Sequence, residues 1–315
     1  MDKHLLLGIS SCLLGEKVRF DGGHKRDNFI CDFLANYVDF LPICPEVAIG
    51  LGVPRPALHL RGNCEHPRLV EAKDSSRDYT SNMVEFSIQC MKGLNEICGY
   101  ILKSKSPSCG LKNVKVYQDE GQRPLAGLGL YARVLKQTFP NLPIEEEGRL
   151  NDPRLRENFV ERIFIYNEWK NLVKTGLDAS KLVEFHTRHK LTLLAHSPSI
   201  YKVLGKMLSN IKLHNLEQLN EAYISIFMRG MSCLATPKKH ANVLQHCLGY
   251  FKKQLDSLDK QELVQSIDNY RSGLLPLIVP VTLFKHHLNR YQQPYLSIQS
   301  YLDPYPQELM LRNHI

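Results

Sequence analysis

Three cysteines, Cys12, Cys44 and Cys109, each follow an apolar run, and Cys44 opens the triplet Cys44-Pro45-Glu46. A thiol that loses its proton is a metal ligand, and a carboxylate two residues away can move protons beside it. No local Cys-x-x-Cys pair joins them, so only the fold can bring them together. Converging thiolates with no fourth cysteine or histidine partner suit an iron-sulfur cluster with one open iron. A structural zinc site would more often show paired cysteines and a closed fourth position. Ordinary packing stays open for all three, because free cysteine behaves as a small hydrophobe. Glu46 likewise has a plain reading as a buried hydrogen-bond acceptor.

The elements that must place these residues change character along the 315-residue chain. In the first half, apolar runs alternate with amphipathic stretches. The segments HLLLGISSC, VDFLPIC, GYILKSKSPSCG and LPIEEEG read as strands, and RDNFICDFLANY, TSNMVEFSIQCMKGLNEI and RPLAGLGLYARVLKQTF as helices. That order predicts a Rossmann-like α/β domain, a parallel sheet with helices on both faces, over residues 1–150. Ligands of such sheets bind at the carboxyl ends of the strands, which is where the three cysteines fall. From Asp152-Pro153, a cap and first-turn pair, the period becomes 3.6 and stays there. The expectation is a bridging helix over 151–177 and an all-α domain over 178–315.

Charge divides along the same seam. Residues 1–152 hold 19 basic and 19 acidic side chains, whereas residues 153–315 hold 21 and 13, so the whole net charge of +8 lies in the helical half. A neutral half joined to a basic one suits chemistry in the first and a polyanion grip in the second, with a merely basic, soluble surface as the equal alternative on charge alone. Nine cysteines scattered without the close, even spacing of a secreted scaffold point to a reducing cytoplasm. LLLGISSC has a faint lipoprotein-signal look, but Asp2 stands in the leader and the chain stays apolar beyond Cys12, so export and membrane attachment are not expected. GLGVP and GLGLY do not complete G-x-G-x-x-G, which argues against a nicotinamide cofactor. Cys31, Cys90 and Cys98 read as core, Cys64 as a loop residue, and Cys233 and Cys247 as packing residues.

The motifs SCLLGEKVRFDGG, LPICPEVAIGLGVPRP, ILKSKSPSCG and PIEEEGRLNDPRLRENF together resemble the thiouracil desulfurase family. The helical half, with FHTRHKLTLLAHSP and LPLIVPVTLFKHHLNRY, resembles the domain fused to it in bacterial transfer-RNA 4-thiouridine desulfidases. The resemblance implies a 4Fe-4S cluster on Cys12, Cys44 and Cys109, a catalytic carboxylate at Glu46 and an assisting serine at Ser106. It also implies non-redox desulfuration, with sulfide as a product and transfer RNA as a partner. Arg19, Asp21, Arg55 and Arg61 lie in motif loops that could bind the nucleotide. Lys190, Lys202, Lys206, Lys238, Lys239, Lys252 and Lys253 are the expected contacts to the RNA backbone. Two alternatives stand beside this one: desulfuration of free thiouracil or a thionucleoside, and a noncatalytic iron-sulfur RNA-binding or sensor protein.

Overall fold

The computed structural model describes residues 5–118, 123–213 and 215–315. The chain divides into two compact units, Met1–Asn151 and Asp152–Ile315.

The first unit is α/β. Its main sheet is built from β1 (Leu5–Ser10), β2 (Val38–Ile43), β5 (Gly99–Leu102) and β8 (Ile144–Glu146), all parallel, in the order β2-β1-β5-β8. β1 is central, and Leu7 and Ile9 on it are fully buried, so the signal-like apolar stretch is sheet core, while residues 1–4 lie outside the described residues. α2 (Thr80–Met91) and α3 (Leu130–Thr138) pack against each other.

A second sheet was not expected from the sequence. β3 (Leu58–Arg61), β4 (Arg68–Glu71), β6 (Val114–Tyr117) and β7 (Leu125–Gly127) pair in the order β4-β3-β6-β7, with antiparallel β3–β4 and β6–β7 pairs and a parallel β3–β6 pair. The expected helix over RPLAGLGLYARVLKQTF therefore begins only at Leu130, since Leu125–Gly127 pairs with Val114–Val116 as β7. The expected helix at RDNFICDFLANY is a π turn, Phe29–Phe33, followed by a 3-10 turn, Leu34–Asn36. Asp27 accepts the Ile30 amide there and starts the turn.

The second unit is all helical: α4 (Pro153–Lys174), α5 (Ala179–His196), α6 (Pro198–Ser209), α7 (Leu216–Met231), α8 (Pro237–Tyr250), α9 (Ser257–Arg271), α10 (Ile278–Arg290) and the short α11 (Pro294–Ser297). Side-chain caps start several of them; Asp152 accepts the Arg154 and Leu155 amides, which suits Pro153 at the first helical position. α4 packs inside this unit, against α7 and the turn Leu311–Asn313. α5 contributes to two apolar clusters, one with α4, α6 and α7 around Trp169 and Phe227, the other with α8, α9 and α10 around Phe251 and Phe284.

Four buried charged groups tie the unit's ends together. His196 Nε2 lies 2.7 Å from Glu161 Oε2, and its Nδ1 lies 2.6 Å from the Cys233 carbonyl, so both ring nitrogens face acceptors and the ring is cationic. Arg312 reaches Glu157 at 3.4 Å and Glu161 at 3.5 Å. Two cations facing two carboxylates balance a site that burial would otherwise make costly. No helix of the described residues is long and apolar enough to cross a membrane.

Candidate functional site

The chain leaves β1 toward β2 on one side of the sheet and, after β5, continues to β8 on the other. β1 and β5 therefore flank the point where strand order reverses, and their outgoing loops diverge to leave a crevice. Cys12 sits in the 3-10 turn after β1, and Cys44 caps the short helix α1 (Pro45–Ala48) after β2. Cys109 lies in the loop after β5. All three line one cavity of about 360 Å³ together with Glu46, Ser106, Arg19, Lys103 and other residues.

The loop bearing Cys109 is held by several local devices. Ser106 Oγ accepts the amides of Ser108 (3.2 Å) and Cys109 (3.1 Å), closing a serine turn. Gly110 and Gly129 are required for close approach. A Cβ on Gly110 would stand 2.3 Å from Val114 Cγ2, and one on Gly129 would stand 2.4 Å from the Ser108 carbonyl oxygen. The glycine of GLGLY thus serves backbone packing against the cysteine loop. The acidic run at the end of β8 clamps the loop at both ends. Glu147 accepts the Ser104 amide (2.7 Å), the Ser104 hydroxyl (2.7 Å) and the Lys103 ammonium. Glu146 accepts the amides of Leu111 (2.7 Å) and Lys112 (3.2 Å).

Glu46 is fixed by both of its oxygens. Arg55, whose side chain is 2% exposed, donates from Nε (3.1 Å) and Nη2 (2.6 Å) to Oε2, and its Nη1 is bound to the carbonyls of Val18 and Gly52. Ser108 donates to Oε1 at 2.9 Å, and Ser106 only at 3.4 Å. The sequence points to Ser106 and not to Ser108, though both stand in SPSCG; Ser106 lines the cavity, and the fully buried Ser108 makes the shorter bond to Glu46. Arg55, a nucleotide candidate from the sequence, also lines the cavity, with four of its five N–H donors on Glu46 and backbone carbonyls.

Burial raises all three thiols, and Cys44 adds to the rise at both Cys12 and Cys109. Burial, first of all, pushes Cys12 up to about 11, partly offset by Lys103 and Arg19. Burial raises Cys44 as well, and Cys109 most strongly, with Glu46 and the other two thiols adding to the rise. Among the described residues, no three His, Cys, Asp or Glu side chains converge as the ligands of a single metal ion. The three thiols, which line one cavity with Lys103 and Arg19, are a donor set that would suit a 4Fe-4S cluster. Cys31, Cys64, Cys90 and Cys98 do not line the cavity. Cys31 Sγ lies 3.4 Å from the Leu13 carbonyl. Cys247 is buried, whereas Cys233, read from sequence as a packing residue, is exposed just beyond α7.

Of the remaining nucleotide candidates, Arg19 is on the cavity lining. Asp21 is not; it accepts the Gly23 amide at 3.0 Å, and that hydrogen bond is the main cause holding its carboxyl below the ordinary value. Arg61 is on β3, where it donates to Ser75 at 2.8 Å, away from the lining. In the second unit Lys202, Lys206, Lys238, Lys252 and Lys253 are exposed. Lys239 donates to the carbonyls of His196 (2.7 Å) and Leu234 (3.1 Å), and Lys190 lies over the Tyr295 ring.

The fold and this cavity define an α/β protein with a thiol-lined site at the switch point of a parallel sheet. The model of the 2-thiouracil desulfurase family matches residues 7–147, and a second family model, described as a protein of unknown function (DUF1722), matches residues 190–306. The chain is 35% identical over 167 residues to the uncharacterized protein YbgA of Escherichia coli (strain K12), covering 52% of this chain and 98% of that protein. A solved structure of the 4Fe-4S-dependent thiouracil desulfidase TudS is 28% identical, covering 48% of this chain and 95% of that one, with a TM-score of 0.37. Over residues 7–147, within its first unit, the chain is similar to the 2-thiouracil desulfurase family, a family of enzymes.

Proposed function

We propose that the protein removes sulfur from 4-thiouridine in transfer RNA, exchanging the C4 thiocarbonyl for a carbonyl. The observation that carries this reading is the single cavity shared by Cys12, Cys44, Cys109 and Glu46. The reaction is balanced without electron transfer: the thiocarbonyl and water give uridine and hydrogen sulfide, as a C4–O bond forms and the C4–S bond breaks. A 4Fe-4S cluster held by the three cysteines would supply an iron with no protein ligand, a Lewis acid with affinity for soft sulfur.

The chain's own residues divide the rest of the work. Oε2 of Glu46 is closed by two Arg55 donors, so Oε1 is the atom that takes a proton from the attacking water and passes it to the departing sulfur. Ser108 holds Oε1 in place, and Arg55 keeps the carboxylate in one orientation. Lys103 and Arg19 on the cavity wall offset the negative charge of the thiolates.

The basic second unit supports transfer RNA as the partner, since a free base needs no attachment carrying the whole net charge of +8. Desulfuration of a free thiouracil or thionucleoside is the second reading, favoured by the family's description and by a cavity large enough for a base alone. The test is turnover by anaerobically reconstituted protein, comparing 4-thiouridine in transfer RNA with free 4-thiouridine and 2-thiouracil. Equimolar uridine and sulfide, with the highest kcat/KM on transfer RNA, is the expected result. Equal or better turnover of the free compounds at every salt concentration moves the second reading ahead, and no sulfide from any substrate refutes both.

A further inference from the structure

The second unit carries a row of rings and a cation where Tyr295, packed against the apolar cluster around Phe251 and Phe284, reaches toward the surface. Tyr250, at the end of α8, is 36% exposed and stacks on Tyr295 of α11 with centroids 4.7 Å apart and planes at 24°. The exposed His246, one turn earlier on α8, meets Tyr250 edge-on at 5.7 Å. Lys190 of α5 places Nζ 4.5 Å from the centre of the Tyr295 ring. Among the described residues no carboxylate pairs with Lys190, and its half-buried ammonium is pulled below the ordinary lysine value by burial. Lys252 and Lys253 stand exposed two and three residues beyond Tyr250.

Stacked tyrosines beside a lysine without a counter-ion form the surface that unpaired nucleotides use: a ring for a base and a cation for the adjoining phosphate. We propose that Tyr250 and Lys190 form a contact for an unpaired nucleotide of the RNA substrate, with the base stacked on Tyr250 and a phosphate drawn to Lys190. This inference rests on the transfer-RNA reading and names where in the second unit the RNA is held. The site is assembled from α5, α8 and α11, all of the second unit, so it needs no contribution from the cavity of the first. The Tyr295 ring is the partner of both, stacked on Tyr250 and met by the Lys190 ammonium.

The test is equilibrium binding of bulk unmodified transfer RNA to the full-length, anaerobically prepared protein over a series of salt concentrations. Tyr250→Ala should weaken binding by about 5- to 150-fold, the loss expected for one stacked base, and Tyr250→Phe should bind like wild type. Lys190→Gln should flatten the slope of log affinity against log salt by about 0.7 to 0.9, one phosphate's worth. Wild-type affinity in Tyr250→Ala, or a wild-type slope in Lys190→Gln, overturns the proposed contact while leaving the transfer-RNA reading in place. Absence of binding by the wild type overturns that reading and the contact with it. If Tyr250→Ala does not fold, as judged by Trp169 fluorescence, the Lys190→Gln slope alone decides.

Discussion

Ser108→Ala tests whether the geometry around Glu46 is catalytic. Ser108 is fully buried and its hydroxyl donates to Oε1 at 2.9 Å, against 3.4 Å for Ser106. A hydrogen bond to a charged acceptor contributes about 1.5–3 kcal/mol, and each ~1.36 kcal/mol is tenfold in rate. If that bond holds Oε1 where the water's proton arrives, Ser108→Ala lowers kcat/KM for 4-thiouridine by about 10- to 150-fold. Cluster content should be unchanged, because the Ser108 hydroxyl bonds Glu46 and not the backbone of the cysteine loop. Ser106→Ala should act differently. Its hydroxyl accepts the amides of Ser108 and Cys109, so its removal loosens the cysteine loop and lowers iron content along with rate. The assay follows loss of the thiocarbonyl absorbance under anaerobic conditions, with iron and sulfide measured on the same samples. A cluster-replete Ser108→Ala protein turning over at the wild-type rate would refute the assignment.

Three further outcomes are expected. Serine at Cys12, Cys44 or Cys109 should abolish iron and sulfide content after reconstitution, whereas Cys31→Ser should keep both, since Cys31 is off the cavity lining. Reversing charge at Lys238, Lys252 and Lys253, all exposed, should weaken transfer-RNA binding and flatten its salt dependence, while Lys239 is left out because backbone carbonyls hold it. The second unit should be most stable near pH 6.5, measured by urea unfolding with the single tryptophan, Trp169, as reporter. Burial opposes the His196 charge, but the Glu161 carboxylate outweighs it and the value is raised above 6.5, so this stabilisation is complete below 6.5 and lost as pH rises through the folded value. Burial holds His186 down to about 4 and His240 well below its ordinary value, so their contribution is intact above 6.5 and lost on acidification; a profile rising steadily to pH 9 would contradict this.

The parallel sheet was legible because β1, β2 and β5 are apolar runs ending in turns, and the helical half because its period is sustained. The second sheet was not. Its strands have three or four residues each, with charged or polar members such as His59, Arg61 and Lys115, and β3 pairs with β6 more than 50 residues away. Periodicity cannot register so short a run, and pairing that distant leaves no local trace. At the site, residue types announced the cysteines and Glu46. The partners that orient them carry no sign of that role: Arg55 reads as a nucleotide contact, Ser108 as a neighbour of Ser106, and Glu146 and Glu147 as part of a short strand segment. Each is distinguished only by what the fold places within 3 Å of it.

The most direct measurement of the central claim is sulfide release by Glu46→Ala protein whose iron and sulfide content equals that of the wild type. Full cluster content with sulfide release from 4-thiouridine lowered by at least about 100-fold is the result predicted for the loss of the proton-carrying carboxylate. Wild-type sulfide release from the cluster-replete variant would contradict the account.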